Sequence, residues 1–284
     1  MCPPDAAPAV TPVVMQRARG ALSIAIKRRD SDSALAMLHQ LGCLKARLPR
    51  PADAAWPEII SLNNSGGVAG GDRLATTLDL QAGTRAVFTT ASAERVYRAG
   101  VEDAPASIAN VLNVASCARA EWLPQETILF DGSAMHRRLE ITMDASASVL
   151  GVETLIFGRL AMGEVLRQVR LRDAIRIRRD GRLILHDAVR PPADIAAILA
   201  RRAAGGNARA CSTVFCVAPD AGAHLDTVRS VLAAQTAVEG GASTWDGMLV
   251  VRLLAADPAA ARRVVVELLH LLRGGRMLPR VWQC

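Results

Sequence analysis

The chain has 284 residues, 51% of them hydrophobic and 21% charged, an ordinary globular balance with enough apolar material for a sizeable core. Its 34 Lys and Arg against 27 Asp and Glu leave a net charge of +7, which favours acidic partners. One Tyr and four Phe supply few stacking platforms for a single-stranded nucleic-acid binder, and an acidic protein partner fits the charge equally well.

Residues 1–15 are rich in Pro and Ala without periodicity and read as a loose tail. No composition break follows, so residues 16–284 are expected to form one domain. Up to about residue 190 the chain carries short alternating segments separated by Gly, Asn and Asp turns. Leu74, Thr76, Leu78 and Leu80 fall on one face of a predicted strand. Arg85–Thr90 forms another, and Leu139, Ile141 and Met143 alternate with Glu140 and Thr142. Ile175–His186 spells a hairpin, because Asp180-Gly181 suits the positive φ angles of a type I′ turn. Arginine is densest here, between Arg167 and Arg182.

The last third is expected to be more helical. A short helix is expected over Asp194–Arg202 and a longer one over Asp220–Ala237, with Gly240-Gly241 as its stop. Met248–Leu254 reads as a buried strand. A second principal helix starts at Asp257, an N-cap followed by Pro258, and ends at Gly274. The expected fold is therefore mainly β, antiparallel or coiled, with a few helices. The apolar run Val264–Leu272 is interrupted by Glu267 and His270 and is too short to cross a bilayer. Together with the absence of a secretory pattern at the N-terminus, and of any CxxC or disulfide-framework spacing among six cysteines, this predicts a cytoplasmic protein.

No motif for catalysis emerges. The cluster Gly66-Gly67-Val68-Ala69-Gly70-Gly71-Asp72 lacks the Lys-Ser/Thr of a phosphate loop and precedes a strand, so it is expected to be a tight bend. The five histidines are isolated, which argues against a stable metal site and gives no reason to expect a cofactor. Glu121, Glu126, Asp131, Glu153 and Glu164 are spread through the middle of the chain, with Glu153 inside an apolar run.

Five stretches in order carry a resemblance: LNNSGGVAGGDRL at 62–74, TTASAERVYR at 89–98, EWLPQETILFDG at 121–132, ETLIFGRLAMGE at 153–164 and the terminal LPRVWQC. They resemble the UreD family, also called UreH, of urease accessory proteins. Asn64, where the family commonly has Pro, and Ser92-Ala93-Glu94 depart from its pattern. The resemblance implies a β-helix-like stack of many short strands with two principal helices. It also implies a non-catalytic scaffold that binds apo-urease with UreF and UreG and assists Ni²⁺ insertion. Asp72, Asp131, Glu153 and Glu164, in or beside these stretches, are the candidate nickel-conduit carboxylates, oxygen ligands suited to weak, transient binding, with pairing to arginines such as Arg73 and Arg159 for stability as the equal alternative. Arg262 and Arg273, on the predicted outer face of the last helix, are expected to contact partners. A β-helix enzyme acting on an acidic polysaccharide is the alternative.

Overall fold

A computed structural model describes residues 16–51, 56–159, 162–192 and 194–283; the expected tail at 1–15 lies outside them. The chain opens with β1 (Arg19–Arg29), β2 (Asp32–Gly42), β3 (Leu44–Arg47) and β4 (Glu58–Asn63). Then come β5 (Arg73–Leu80), β6 (Arg85–Thr90), β7 (Glu94–Val96), β8 (Ala106–Val114), β9 (Arg119–Leu123) and β10 (Thr127–Leu129). The middle closes with β11 (Ser133–Met143), β12 (Ser148–Phe157), β13 (Val169–Arg179) and β14 (Arg182–Val189). The last third holds α1 (Ile195–Leu199), β15 (Ala210–Val217), α2 (Leu225–Ala233), β16 (Val238–Trp245), β17 (Met248–Ala255) and α3 (Pro258–Leu272).

From β4 to β13 the long strands alternate between two sheets, so each turn of the chain adds one parallel strand to each. The seven-stranded sheet has the order β14-β13-β11-β8-β5-β1-β2, and its five central strands are parallel. The ten-stranded sheet runs β16-β17-β15-β12-β9-β6-β4-β3, with β10 paired to β12 and β7 to β10. The coiled alternative is therefore the one realised. Antiparallel pairing is confined to the two ends of each sheet, where hairpins and the strands of the last third close the stack.

The facing sheets enclose one apolar core, with Leu22, Ile24, Leu78, Leu112, Leu139, Ile141 and Ile177 from the first sheet against Phe88, Trp122, Leu155 and Phe215 from the second. Phe88 and Trp122 stack at 4.3 Å on successive strands. The next residue in that row is Gly151, where a Cβ would stand 2.1 Å from the Phe215 ring, so glycine leaves the space the phenyl ring fills.

The other face of the ten-stranded sheet carries the second core, roofed by the helices. In α3, Val264, Val265, Leu268 and Leu269 are buried, each contributing about 1.5–3 kcal/mol. Asp257 caps it by accepting from Ala259 N and Ala260 N, and Gly274 follows at φ +65°, as expected. The hairpin turn also matches, with Asp180 and Gly181 at φ 49° and 78°. Gly240-Gly241, however, lies inside β16 and not at a helix stop: α2 has already ended at Ala233. A Cβ on Gly240 would come within 3.0 Å of Leu232 Cδ2 and 2.7 Å of Leu253 Cδ2, so the glycine lets α2 pack closely on the sheet. At one edge of the seven-stranded sheet β2 exposes Leu35, Met37 and Leu41.

Candidate functional site

Charged side chains meet between the two sheets. Arg137 on β11 and Asp173 on β13 are register partners in the parallel ladder and both point inward. Arg137 Nε donates to Asp173 Oδ1 at 2.8 Å and Nη2 to Oδ2 at 2.5 Å, a bidentate pair. Nη1 donates to Thr127 Oγ1 at 2.8 Å and lies 2.6 Å from Glu153 Oε2, off the direction of a hydrogen bond. Trp122 Nε1 donates to Glu153 Oε1 at 2.8 Å. Glu94, in register with Thr127, accepts from Asn63 Nδ2 at 3.1 Å and 3.2 Å.

Carboxylates outnumber the cation here. Burial pushes the Glu153 pKa above the ordinary range; Asp173 adds to this, while Arg137 and the Trp122 bond oppose it. Burial likewise raises Glu94, against the Asn63 bond and the charges of Arg95 and Arg137. Burial by itself would lower Arg137, but Asp173, Glu153 and Glu94 outweigh it and keep the guanidinium charged. A cavity of about 70 Å³ is bordered by Thr76, Glu94, Asn110, Thr127, Arg137 and Glu153. Glu94 also borders a surface pocket of about 160 Å³ with Asn63 and Thr90. Beyond Glu153 lies a space of about 20 Å³ lined by Asp173, Asp187, Cys211 and Thr213. Asp187 there accepts from Thr213 Oγ1 at 3.2 Å and Arg252 Nη2 at 2.6 Å. A line of acids thus borders three adjoining spaces, each successive pair of which shares a carboxylate, Glu94 and then Glu153.

Of the four carboxylates expected from the sequence, only Glu153 lies on this line. Asp72 accepts from Ala18 N and Ala69 N, both at 2.7 Å, and ties the glycine bend to the strand entrance. In that bend Gly67 sits at φ 145°, where a Cβ would strike the Tyr97 ring and Arg95 O, so the cluster is a close-packed turn as expected. Asp131 accepts from Arg167 N and Gln168 N and pairs with Arg98. These bonds outweigh burial, the largest influence on it, and hold its pKa low. Glu164 is paired with Arg159 at 3.0 Å, and the bonds from that side chain hold its pKa low. Among the described residues no three His, Cys, Asp or Glu side chains form a metal-ligand group.

The two arginines differ from expectation. Arg273 is 6% exposed, not on an outer face, and its Nε donates to the buried Glu121 at 2.9 Å. Arg276 bonds the same carboxylate and stacks over Trp56. The reason is helical spacing: Arg273 follows the buried Leu269 by four residues and Val265 by eight, on the face that packs against the sheet. Arg262 is half-buried, bonded to Gln125, Glu126 and the Trp282 carbonyl, and its guanidinium covers the Trp282 ring.

Residues 18–283 match the family model described as UreD urease accessory protein. The chain belongs to this family. It is 47% identical to a urease accessory protein UreD of Dinoroseobacter shibae over 95% of this chain and 93% of that protein. It is 43% identical to that of Paracoccus denitrificans (97% and 95% covered) and 42% identical to that of a Rhizobium leguminosarum strain (94% and 96% covered). The five motif stretches hold Asn63, Glu94, Trp122, Thr127 and Glu153 of the interior site, but Arg137, Asp173 and Asp187 lie outside all five. A parity signal existed for two of them. Arg137 precedes Leu139, Ile141 and Met143 by two, four and six residues, and Asp173 precedes Ile175 and Ile177 likewise, so alternation puts both on the core face. No helix among the described residues is long and apolar enough to cross a membrane.

Proposed function

We propose that this chain is a non-catalytic cytoplasmic scaffold of urease maturation. It binds apo-urease with UreF and UreG and assists delivery of Ni²⁺ to the metallocentre. Membership of the accessory family supports the role, and the relatives it matches are named accessory proteins. The observation that carries the nickel reading is the buried surplus of carboxylate at Glu94, Glu153 and Asp173 around Arg137. Glu94 and Glu153 have raised pKa values because burial disfavours their charge, and a divalent cation relieves that cost in place of a proton. Oxygen donors without His or Cys bind Ni²⁺ weakly enough to release it, which a carrier requires. Asp72, Asp131 and Glu164 act in this reading as loop anchors.

The test is to mature urease with Glu94→Gln and Glu153→Gln chains and to measure both nickel per urease and recovery of the accessory complex. Normal assembly with nickel-poor urease is the expected result. Full nickel loading would remove the carboxylate route, and joint loss of assembly and thermal stability would assign these residues to the fold. Turnover of any substrate by the isolated chain, abolished by replacing one acid, would overturn the non-catalytic role.

A further inference from the structure

The solvent face of the seven-stranded sheet has a hollow that Arg137 and Asp173 also border, and its exposed arginines take no part in the nickel route. Alternation sends His136 and Arg138 of β11, Arg172, Ala174 and Arg176 of β13, and His186 and Ala188 of β14 outward together. Arg138, Ala174 and Ala188 are register partners, so small side chains floor a hollow that longer ones surround. The hollow is about 430 Å³, and Arg190 also lines it. Arg176 pairs with Glu140 at 3.0 Å, but Arg138, Arg172 and Arg190 are exposed and have no acidic partner among the described residues. His136 responds to this field: partial burial and then Arg172, Arg170 and Arg190 push its pKa down.

We propose that this arginine-walled hollow is a docking surface for an acidic face of a protein partner in the maturation complex. The proposal rests on the function proposed above. The backbone positions that carry these side chains follow the sheet's spacing, about 5 Å between strands and about 7 Å between alternate residues. Carboxylates one turn apart on a helix, about 5–6 Å, match that spacing and accept bidentate bonds from arginine. The rigid strands fix that spacing, so little side-chain order is lost on docking beyond the guanidiniums themselves. No Phe, Tyr or Trp lines the hollow, so the large platforms on which single-stranded bases stack are missing from it.

The experiment compares the full wild-type chain with R138E/R172E/R190E and the milder R138Q/R172Q/R190Q, each co-expressed with apo-urease and the other accessory proteins. Complex recovery is measured over a series of salt concentrations, with circular dichroism to check the fold and a short mixed-sequence RNA as a competing probe. The expected result is recovery reduced about tenfold by charge reversal, less by neutralisation, and a shallower salt dependence in both natively folded variants. Unchanged recovery and salt dependence in the folded variants would overturn the proposal alone, leaving the function standing. Loss of RNA binding with an intact protein complex would reassign the face to nucleic acid. Failure of the wild-type chain to join any complex would overturn both readings.

Discussion

Arg137 and Asp173, 36 residues apart in sequence, are neighbours in the parallel ladder of β11 and β13 and share two hydrogen bonds in the interior. One turn of the coil separates them, and that turn brings the inward-facing charges of two distant strands together. Breaking such a buried pair leaves an uncompensated charge. Asp173→Ala is expected to cost about 3 kcal/mol, read as a lower urea midpoint with an unchanged slope. A loss below about 0.5 kcal/mol would mean that Glu153 alone satisfies the guanidinium.

Glu153 sets a pH dependence. Burial raises its folded-state pKa above the ordinary value of 4.5, so the folded chain holds this proton more tightly than the unfolded chain. Its contribution to stability is therefore lost as pH rises from the ordinary value through the raised one, and is constant beyond it. Glu153→Gln removes the titration. Stability of the variant relative to wild type should rise with pH across that window in urea unfolding from about pH 4 to about pH 8. A difference independent of pH would show that the carboxyl does not titrate there.

Arg273→Glu is expected to lose partner binding only because it loses the fold. It sets a second carboxylate against Glu121 in a buried site, and Arg273→Ala alone should cost about 3 kcal/mol. Thermal unfolding read beside pull-down separates the two effects. A natively stable Arg273→Glu chain that no longer binds would restore the direct contact expected from the sequence.

Gly151→Ala tests the aromatic row. The added methyl meets Phe215, which is fully buried, and overpacking there should cost about 2 kcal/mol. Combining it with Phe215→Leu should return part of that loss. Strictly additive losses would mean the two sites do not share the space.

The edge strand β2 carries Leu35, Met37 and Leu41 into solvent beside unpaired backbone groups. Met37→Lys and Leu41→Lys should raise the concentration at which the chain aggregates, by light scattering, with a melting temperature close to wild type. Unchanged aggregation would point to another surface.

Alternation and turn chemistry determined much of this protein from the sequence. They assigned β5, β6 and the Asp180-Gly181 hairpin, and the caps of α3, because each depends on residues within a few positions of one another. Ordered motifs carried the family for a similar reason, since they are read along the chain. What they could not supply is which inward-facing groups meet. Arg137 finds Asp173 and Glu153 through the pitch of the coil and the facing of two sheets. Arg273 meets Glu121 where α3 packs on the sheet, and Gly240 makes room for Leu232 from a strand and not from a helix end. Periodicity fixes the side of an element on which a residue stands. Only the register between distant strands decides whether a buried carboxylate there finds an arginine, a backbone amide or a cavity.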